Sequence, residues 1–523
     1  MGYLLFVSFV RYPPNDFEAF LTIRGINLSV KLFGVVFVRK ILAVLLLCGM
    51  FAALWADSTA SEPTSVEITV YQPPSSSGYY DPYSYYSPYN AQQIARLTYQ
   101  ATTGIGLVKE VRNAVLGVGN QWLSYKNVAS HILPTSVTVK DKTSPSQFLE
   151  QNYEFDLVSQ NKLLQKYIDK EITVVTYNGD KSFEINGTLL SYDNGIVLQT
   201  KDGIVNIQGG IRQINYPVLP EGLLTSPTLS WLVNAVQGGK HDLEVSYLTS
   251  GITWEASYIA VANKDDNRVD MNGWVTITNY AGTTFKDAKL KLVAGDIHYA
   301  PRAAKTLNAA AGYARSDVAY EAAPQFSEEG LFEYHLYTLQ RPTTIKDSQI
   351  KQVSLFTSSN VPAEKELIFD GARSTKVQVK LNINNSKTNG LGIPLPKGTV
   401  RIYKPDTSGQ LQFLGEDSID HTPENEQMKL YVGNAFDVVG ERKVMDHQGS
   451  YCSSRDTVQI QLRNHKKEDV VVTVVEHPYC DWDITEENFS HTKESTSEVQ
   501  WKIPVKAGSS STLTYVIKTN CNC

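Results

Sequence analysis

Apolar and polar residues alternate most regularly between Tyr247 and His298. Ile252, Trp254, Ala256, Tyr258 and Ala260 fall on one side of an extended chain, with Thr253, Glu255 and Ser257 on the other. A period of two marks a strand with one buried and one wet face. Ala288, Leu290, Leu292 and Ala294 repeat the pattern against Lys289 and Lys291, and Gly273-Trp-Val-Thr-Ile-Thr-Asn279 lies between. Asn263-Lys-Asp-Asp-Asn-Arg268 and Asn279-Tyr-Ala-Gly-Thr-Thr284 supply turn chemistry. Strands with one oily face need a second layer, which predicts a central β-sandwich over 217–302.

The same pattern runs through most of the chain. Residues 91–158 read as an N-terminal β region, with short strands broken by Gly104, Gly106, Gly117 and Gly119 and a strand ending in Val137 and Val139. Leu163, Leu164, Tyr167 and Ile168 have the spacing of one short helix with an apolar stripe. Five short strands follow at 172–177, 183–190, 195–199, 203–207 and 211–214, turned by Asn178-Gly179, Asn194-Gly195 and Asp202-Gly203. With the helix they predict a small SH3-like barrel over 159–216. Residues 303–330 are Ala-rich without an apolar stripe and read as a long loop. From 331 to 523 the pattern predicts a second, C-terminal β-sandwich. Phe332, Tyr334 and Leu336 share one strand face there, and 377–383 and 513–517 are further strands. Residues 458–462 and 470–475 form a hairpin turned by Asn464-His-Lys-Lys-Glu468. The predicted fold class is mainly β and multi-domain: β-sandwiches, one small SH3-like barrel and few short helices.

Composition adds a compartment. Arg39-Lys40 precedes an apolar run at 41–55, which has the order of a secretory signal peptide and is short for a membrane span. Residues 1–56 therefore read as a leader, cleaved after Ala56 or Ala60. Translation is expected to begin further in, for example at Val36 or Val38, because a signal peptide starts close to its basic residues. Residues 57–90, with Pro73-Pro74-Ser-Ser-Ser-Gly78 and six Tyr between Tyr79 and Tyr89, read as a Tyr/Pro/Ser-rich linker. The net charge is −6, and removal of 1–56 leaves 43 basic against 52 acidic residues. An acidic chain is a poor partner for nucleic acid. Contact with a membrane is expected only through the leader.

The motifs Leu219-Pro-Glu-Gly-Leu-Leu224, Tyr247-Leu-Thr-Ser-Gly-Ile-Thr-Trp254, Gly273-Trp-Val-Thr-Ile-Thr-Asn279, Lys291-Leu-Val-Ala-Gly-Asp296 and Leu462-Arg-Asn-His-Lys466 carry a resemblance. With Glu150-Gln-Asn-Tyr153 and Leu163-Leu164, they make the chain similar to the bacterial family of exported proteins defined by the domain of unknown function numbered 4139, related to the mucoidy inhibitor A group. The likeness runs from about Leu97 to the end. It implies an exported, β-rich bacterial protein, and no catalytic residue comes with it. The Tyr-rich segment and the late Cys depart from the usual pattern.

Candidate chemistry is sparse. Of five Cys, Cys48 lies in the leader, and Cys452, Cys480, Cys521 and Cys523 remain. An even number in an exported chain favours disulfides. Extending the register of the expected hairpin sets Cys452 opposite Cys480, a predicted bridge. Cys521 and Cys523 are possible disulfide residues that pair with another chain or exchange with the first pair. A rival set of Cys452, Cys480, His477 and His447 or His491 offers zinc ligand types without the close paired spacings of zinc modules, so no metal is expected. Arg268-Val-Asp-Met-Asn-Gly273 misses the first carboxylate of a calcium loop. Asp296 and His298 could be an acid–base pair, but a surface loop fits better. Trp254 and Trp274 could stack on sugar, but their strand settings favour core packing. No nucleophile elbow, zinc-binding helix or phosphate loop is present in the sequence. The expectation is an exported envelope protein of the periplasm or cell surface that binds or scaffolds a protein or a surface polymer. It needs no cofactor, and oligomers linked through Cys521 or Cys523 are possible. The alternative is an envelope hydrolase with an Asp/Glu/His site on sandwich loops.

Overall fold

The computed structural model describes residues 58–73, 104–178, 181–295, 325–450 and 452–521, and the backbone of three strands nearer the start. Those strands, Phe6–Tyr12, Asp16–Ile23 and Ile26–Phe33, pair as an antiparallel meander. The apolar run at 41–55, the Tyr-rich stretch, Asp296, His298 and residues 303–324 of the Ala-rich loop lie outside the described residues, and the end of that loop is corrected: Phe326–Leu331 is a strand paired with Tyr334–Leu339. Among those described, no helix is long and apolar enough to cross a membrane. The chain is mainly β, and its strands divide into two compact units, each drawn from several separate segments.

The first unit comprises residues 1–64, 111–128 and 139–244. It contains the five-stranded module, in the order 203–207, 196–200, 181–191, 171–178, 211–215. Neighbours in sequence are neighbours in space, except that the last strand returns to pair with the first. Gly195 and Gly203 both have positive φ, the backbone such tight turns require. The helix Gln160–Lys166 is capped by Ser159, whose Oγ accepts from the Lys162 backbone N–H at 3.3 Å. It sets Leu164 and Tyr167 on a core of Ile172, Val174, Leu189, Ile196, Leu198 and Ile207. A second sheet of this unit centres on Thr228–Ala235, flanked by Gly119–Lys126 and Gln147–Glu154.

The second unit comprises residues 65–110, 129–138 and 245–523. Ile252–Ala262 and Arg268–Asn279 pair antiparallel, and the alternating residues from Ile252 to Ala260 are buried as expected. The third strand, Phe285–Ala294, joins a different sheet. There it runs parallel to Pro63–Tyr71, whose Ile68 and Val70 are fully buried. This corrects the linker reading of 57–90 for its first part: the bias toward Pro, Ser and Tyr begins only after a strand with an ordinary apolar alternation. Trp254 fills the interior, its Nε1 donating to the Val293 carbonyl at 3.3 Å.

The C-terminal half holds a sandwich. Val458, Ile460, Leu462, Leu513 and Tyr515 on one side face Val472, Val474, Val499, Trp501 and Ile503 on the other. The expected hairpin is not formed. Ser453–Asn464 pairs with Gln427–Ser450 and Ser510–Asn520, whereas Val470–Glu476 pairs with Gln349–Phe369 and Glu498–Val505. Buried Asn464 shows why. Its Nδ2 donates to the carbonyls of Glu468 (2.8 Å), Val505 and Lys506 (both 3.2 Å), so the turn sends the chain to the facing layer. Asn279 and Asn385 do the same at two other strand ends, each gripping three carbonyls. Phe332, expected inside a strand, sits at positive φ in a two-residue turn between Phe326–Leu331 and Tyr334–Leu339 and is fully exposed. The turn has no Gly or Asn to announce it.

Candidate binding site

Four neighbouring strands of the C-terminal sheet end in a cleft of about 570 Å³. Register builds it. Gln448, Arg455, Lys518 and Asp483 stand in one row across the strands, and Gly449, Ser454, Thr519 and Trp482 in the next. One position further, Ser453 and Asp481 flank Asn520. Side chains alternate between faces along each strand, so the outer rows present carboxylate, guanidinium, ammonium and amide groups together. Asp481, Asp483, Lys518 and Asn520 are exposed, while Ser454 and Thr519 are buried and share a hydrogen bond of 2.7 Å. Arg455 reaches Glu486 at 2.8 Å.

The disulfide closes this end of the sheet. Cys480 bonds Cys521, with Cα atoms 5.1 Å apart. The pair continues the Asp481–Asn520 register by one step, so it is a cross-strand bridge between Asp481–Glu487 and Ser510–Asn520. This corrects the expected Cys452–Cys480 pairing. The inference from register had the right form but was applied to two strands that are not partners. Cys452 is itself disulfide-bonded, and its carbonyl accepts from the Cys521 N–H at 2.8 Å. Cys521 is therefore not free to link a second chain, and Cys523 lies outside the described residues.

Beneath the cleft Trp482 turns inward. Its Nε1 donates to the Thr496 carbonyl at 2.6 Å, and the Lys493 ammonium lies 4.3 Å from the ring centre. His491 lies between Trp482 and Trp501, and Trp501 stacks on Tyr515 at 4.6 Å. Glu487 accepts from Trp501 Nε1 (2.8 Å) and faces His491 Nδ1 (3.0 Å). Burial works against the ionised carboxyl, but these bonds outweigh it and hold the Glu487 pKa below its ordinary value. On the strand next to that of Trp501, Glu476 is buried against Arg442 through two bonds of 2.6 and 3.2 Å. Desolvation pushes the nearby Tyr515 hydroxyl far up, so that it stays protonated.

The cleft sets acceptor carboxylates beside cationic and amide donors. Asp481 and Asp483 project from one face of one strand into solvent. Near the cleft, His447 Nδ1 meets Asp456 Oδ1, and Ser454 Oγ donates to Asp456 Oδ2 at 3.1 Å. The hydroxyl proton is thus spent on the carboxylate, and no Ser–His contact is made of the kind that activates a nucleophile.

The zinc set does not converge. His477 faces Asp370 at 3.0 Å, while His447 and His491 face Asp456 and Glu487. Among the described residues no three metal-ligating side chains gather. Arg268 to Gly273 forms strand, not a calcium loop. Trp254 is core as expected, whereas Trp274 is only half-buried.

Sequence reasoning missed Arg455, Asp481, Asp483, Lys518 and Asn520. The signal available was the alternation Asp481-Trp-Asp-Ile484 immediately after Cys480, with Cys521 immediately after Asn520. A family profile described as Domain of unknown function (DUF4139) matches residues 243–522, which include the cleft. No curated protein matches the chain.

Proposed function

The chain belongs to the DUF4139 family, and on that premise we propose that it is a non-enzymatic binding protein that recognises a surface polymer rich in hydroxyl and amide groups. The observation that carries this reading is the cleft beside Cys480–Cys521: mixed charges and amides on a rigid four-strand floor, with no paired nucleophile and base. Sugars are held by planar polar side chains: the amides of Asn520 and Gln448 both donate and accept, and the carboxylates of Asp481 and Asp483 accept from hydroxyls. A disulfide-bonded chain fits an oxidising compartment, in keeping with export to the periplasm or cell surface. Cleavage after Ala56 would remove the three strands between Phe6 and Phe33 and keep those from Ser58 onward. Cleavage after Ala60 would remove Ser58–Thr59, which pairs with Gly119–Lys126.

The test is co-sedimentation of the purified protein with isolated envelope polysaccharide. Binding is expected to weaken about a hundredfold in the Asp483→Asn/Lys518→Gln double variant, as loss of two charged hydrogen bonds implies. Release of product from a glycan, peptide or ester would replace this reading with the hydrolase, and retention of a protein instead of the polysaccharide would change the ligand class.

A further inference from the structure

A second cavity, of about 300 Å³, opens in another part of the second unit. It lies where Leu411–Ile419, the edge strand of its sheet, comes against Gln427–Ser450. The approach is close: a Cβ on Gly415 would stand 2.4 Å from the Val432 carbonyl, so only glycine fits. The volume is at the small end of ligand sites.

The walls are apolar and the mouth is basic. Leu381 and Ile402 are buried at the base, with Val379 and Val432 above them. A register shift between Val379 and Lys380 lets these consecutive residues face the same space. At the rim Phe436 is 94% exposed, a large apolar side chain held in water. Four lysines, 365, 380, 404 and 466, line the cavity against two carboxylates, Asp266 and Asp437. Lys365, at 2.6 Å, and Lys404 both bind the one carboxylate of Asp266, and Lys466 faces Glu468 at 3.5 Å, so four lysines meet three carboxylates and one positive charge is left over. In a chain of net charge −6, this cavity carries the opposite sign. Oily walls under a cationic rim match a molecule with an anionic head and an apolar tail.

We propose that this cavity binds a free single-chain amphiphile with a carboxylate head, of the fatty-acid class, its tail against Leu381 and Ile402 under Phe436 and its head between Lys380 and Lys466. The site is separate from the polar cleft and does not rest on the polymer reading.

Calorimetric titration of the full chain with dodecanoate below its micelle concentration tests it. Saturable binding is expected, at least tenfold tighter than for dodecanol or dodecyltrimethylammonium. The Lys380→Gln/Lys466→Gln and Phe436→Ser variants should each weaken it at least tenfold with an unchanged melting temperature, and Asp483→Asn should leave it unaltered. The proposal is overturned if dodecanoate gives no saturable heat, if the cationic analogue binds as well, if the lysine variant binds like the wild type, or if anionic phospholipid vesicles bind but monomeric dodecanoate does not. The comparison of head groups on the unaltered protein decides the matter even if a variant folds poorly.

Discussion

The five-stranded module at 171–215 and the C-terminal sandwich solve the same problem of pairing strands in different ways. In the module, successive strands are joined by short turns, three of which carry Asn-Gly or Asp-Gly in the sequence, so the first four strands find their neighbours within a few residues and only the last returns to the first. In the sandwich, Ser453–Asn464 takes Ser510–Asn520 as a partner, and Val470–Glu476 runs parallel to a strand some hundred residues earlier. Local turns choose partners cheaply in entropy, whereas distant pairing is decided by what buries a face. The module should therefore tolerate loss of its distant contacts, and the sandwich should depend on a few fastenings.

The largest test of that contrast is the disulfide. Cys480–Cys521 closes a loop of 41 residues, and its removal in the Cys480→Ser/Cys521→Ser variant should cost about 4 kcal/mol by loop entropy. Segment-resolved hydrogen exchange should show that loss in the sandwich and none at 171–215. Equal losses in both would mean that the two regions unfold together.

Next comes Asn464. Asn464→Leu leaves three interior carbonyls without their donor and should cost about 2–3 kcal/mol in guanidinium titration. A variant as stable as the parent would show that apolar pairing alone directs the crossing.

The local side is broken at its turns. Gly195→Ala forces a side chain into positive φ and against the Ile207 carbonyl, 2.6 Å from the new Cβ, for a cost of about 1–3 kcal/mol. Exchange should rise at 171–215 and stay unchanged near Trp501.

The smallest effect is one of pH. The folded Glu487 pKa is depressed, so its contribution is present above the unfolded carboxyl value and is lost as pH falls through the folded one. Glu487→Gln should remove that part of the acid limb of a stability–pH curve below about pH 4 while shifting neutral stability little. An identical acid limb in the variant would exclude Glu487 as a contributor.

These outcomes also measure what the chain makes legible. The alternation from Ile252 to Ala294 predicts three strands and their buried faces, and all three form. It is silent on partners, so Phe285–Ala294 leaves the sheet of the other two. Phe332 was unreadable because an apolar residue in an unmarked two-residue turn looks like strand. The cleft was unreadable because Arg455, Asp483 and Lys518 are ordinary exposed strand residues until register lines them up.

The sequence by itself determined that the molecule is built of strands, which faces are oily, where Gly turns join the small module, and that the chain is of the DUF4139 kind. Tertiary structure alone decided that Cys480 meets Cys521, that Val470–Glu476 crosses to the facing layer, and that a polar cleft and a lysine-rimmed cavity exist. The reason is physical: side-chain period is a property of neighbours along the chain, whereas pairing is chosen among all strands at once by the burial and hydrogen bonds each choice completes.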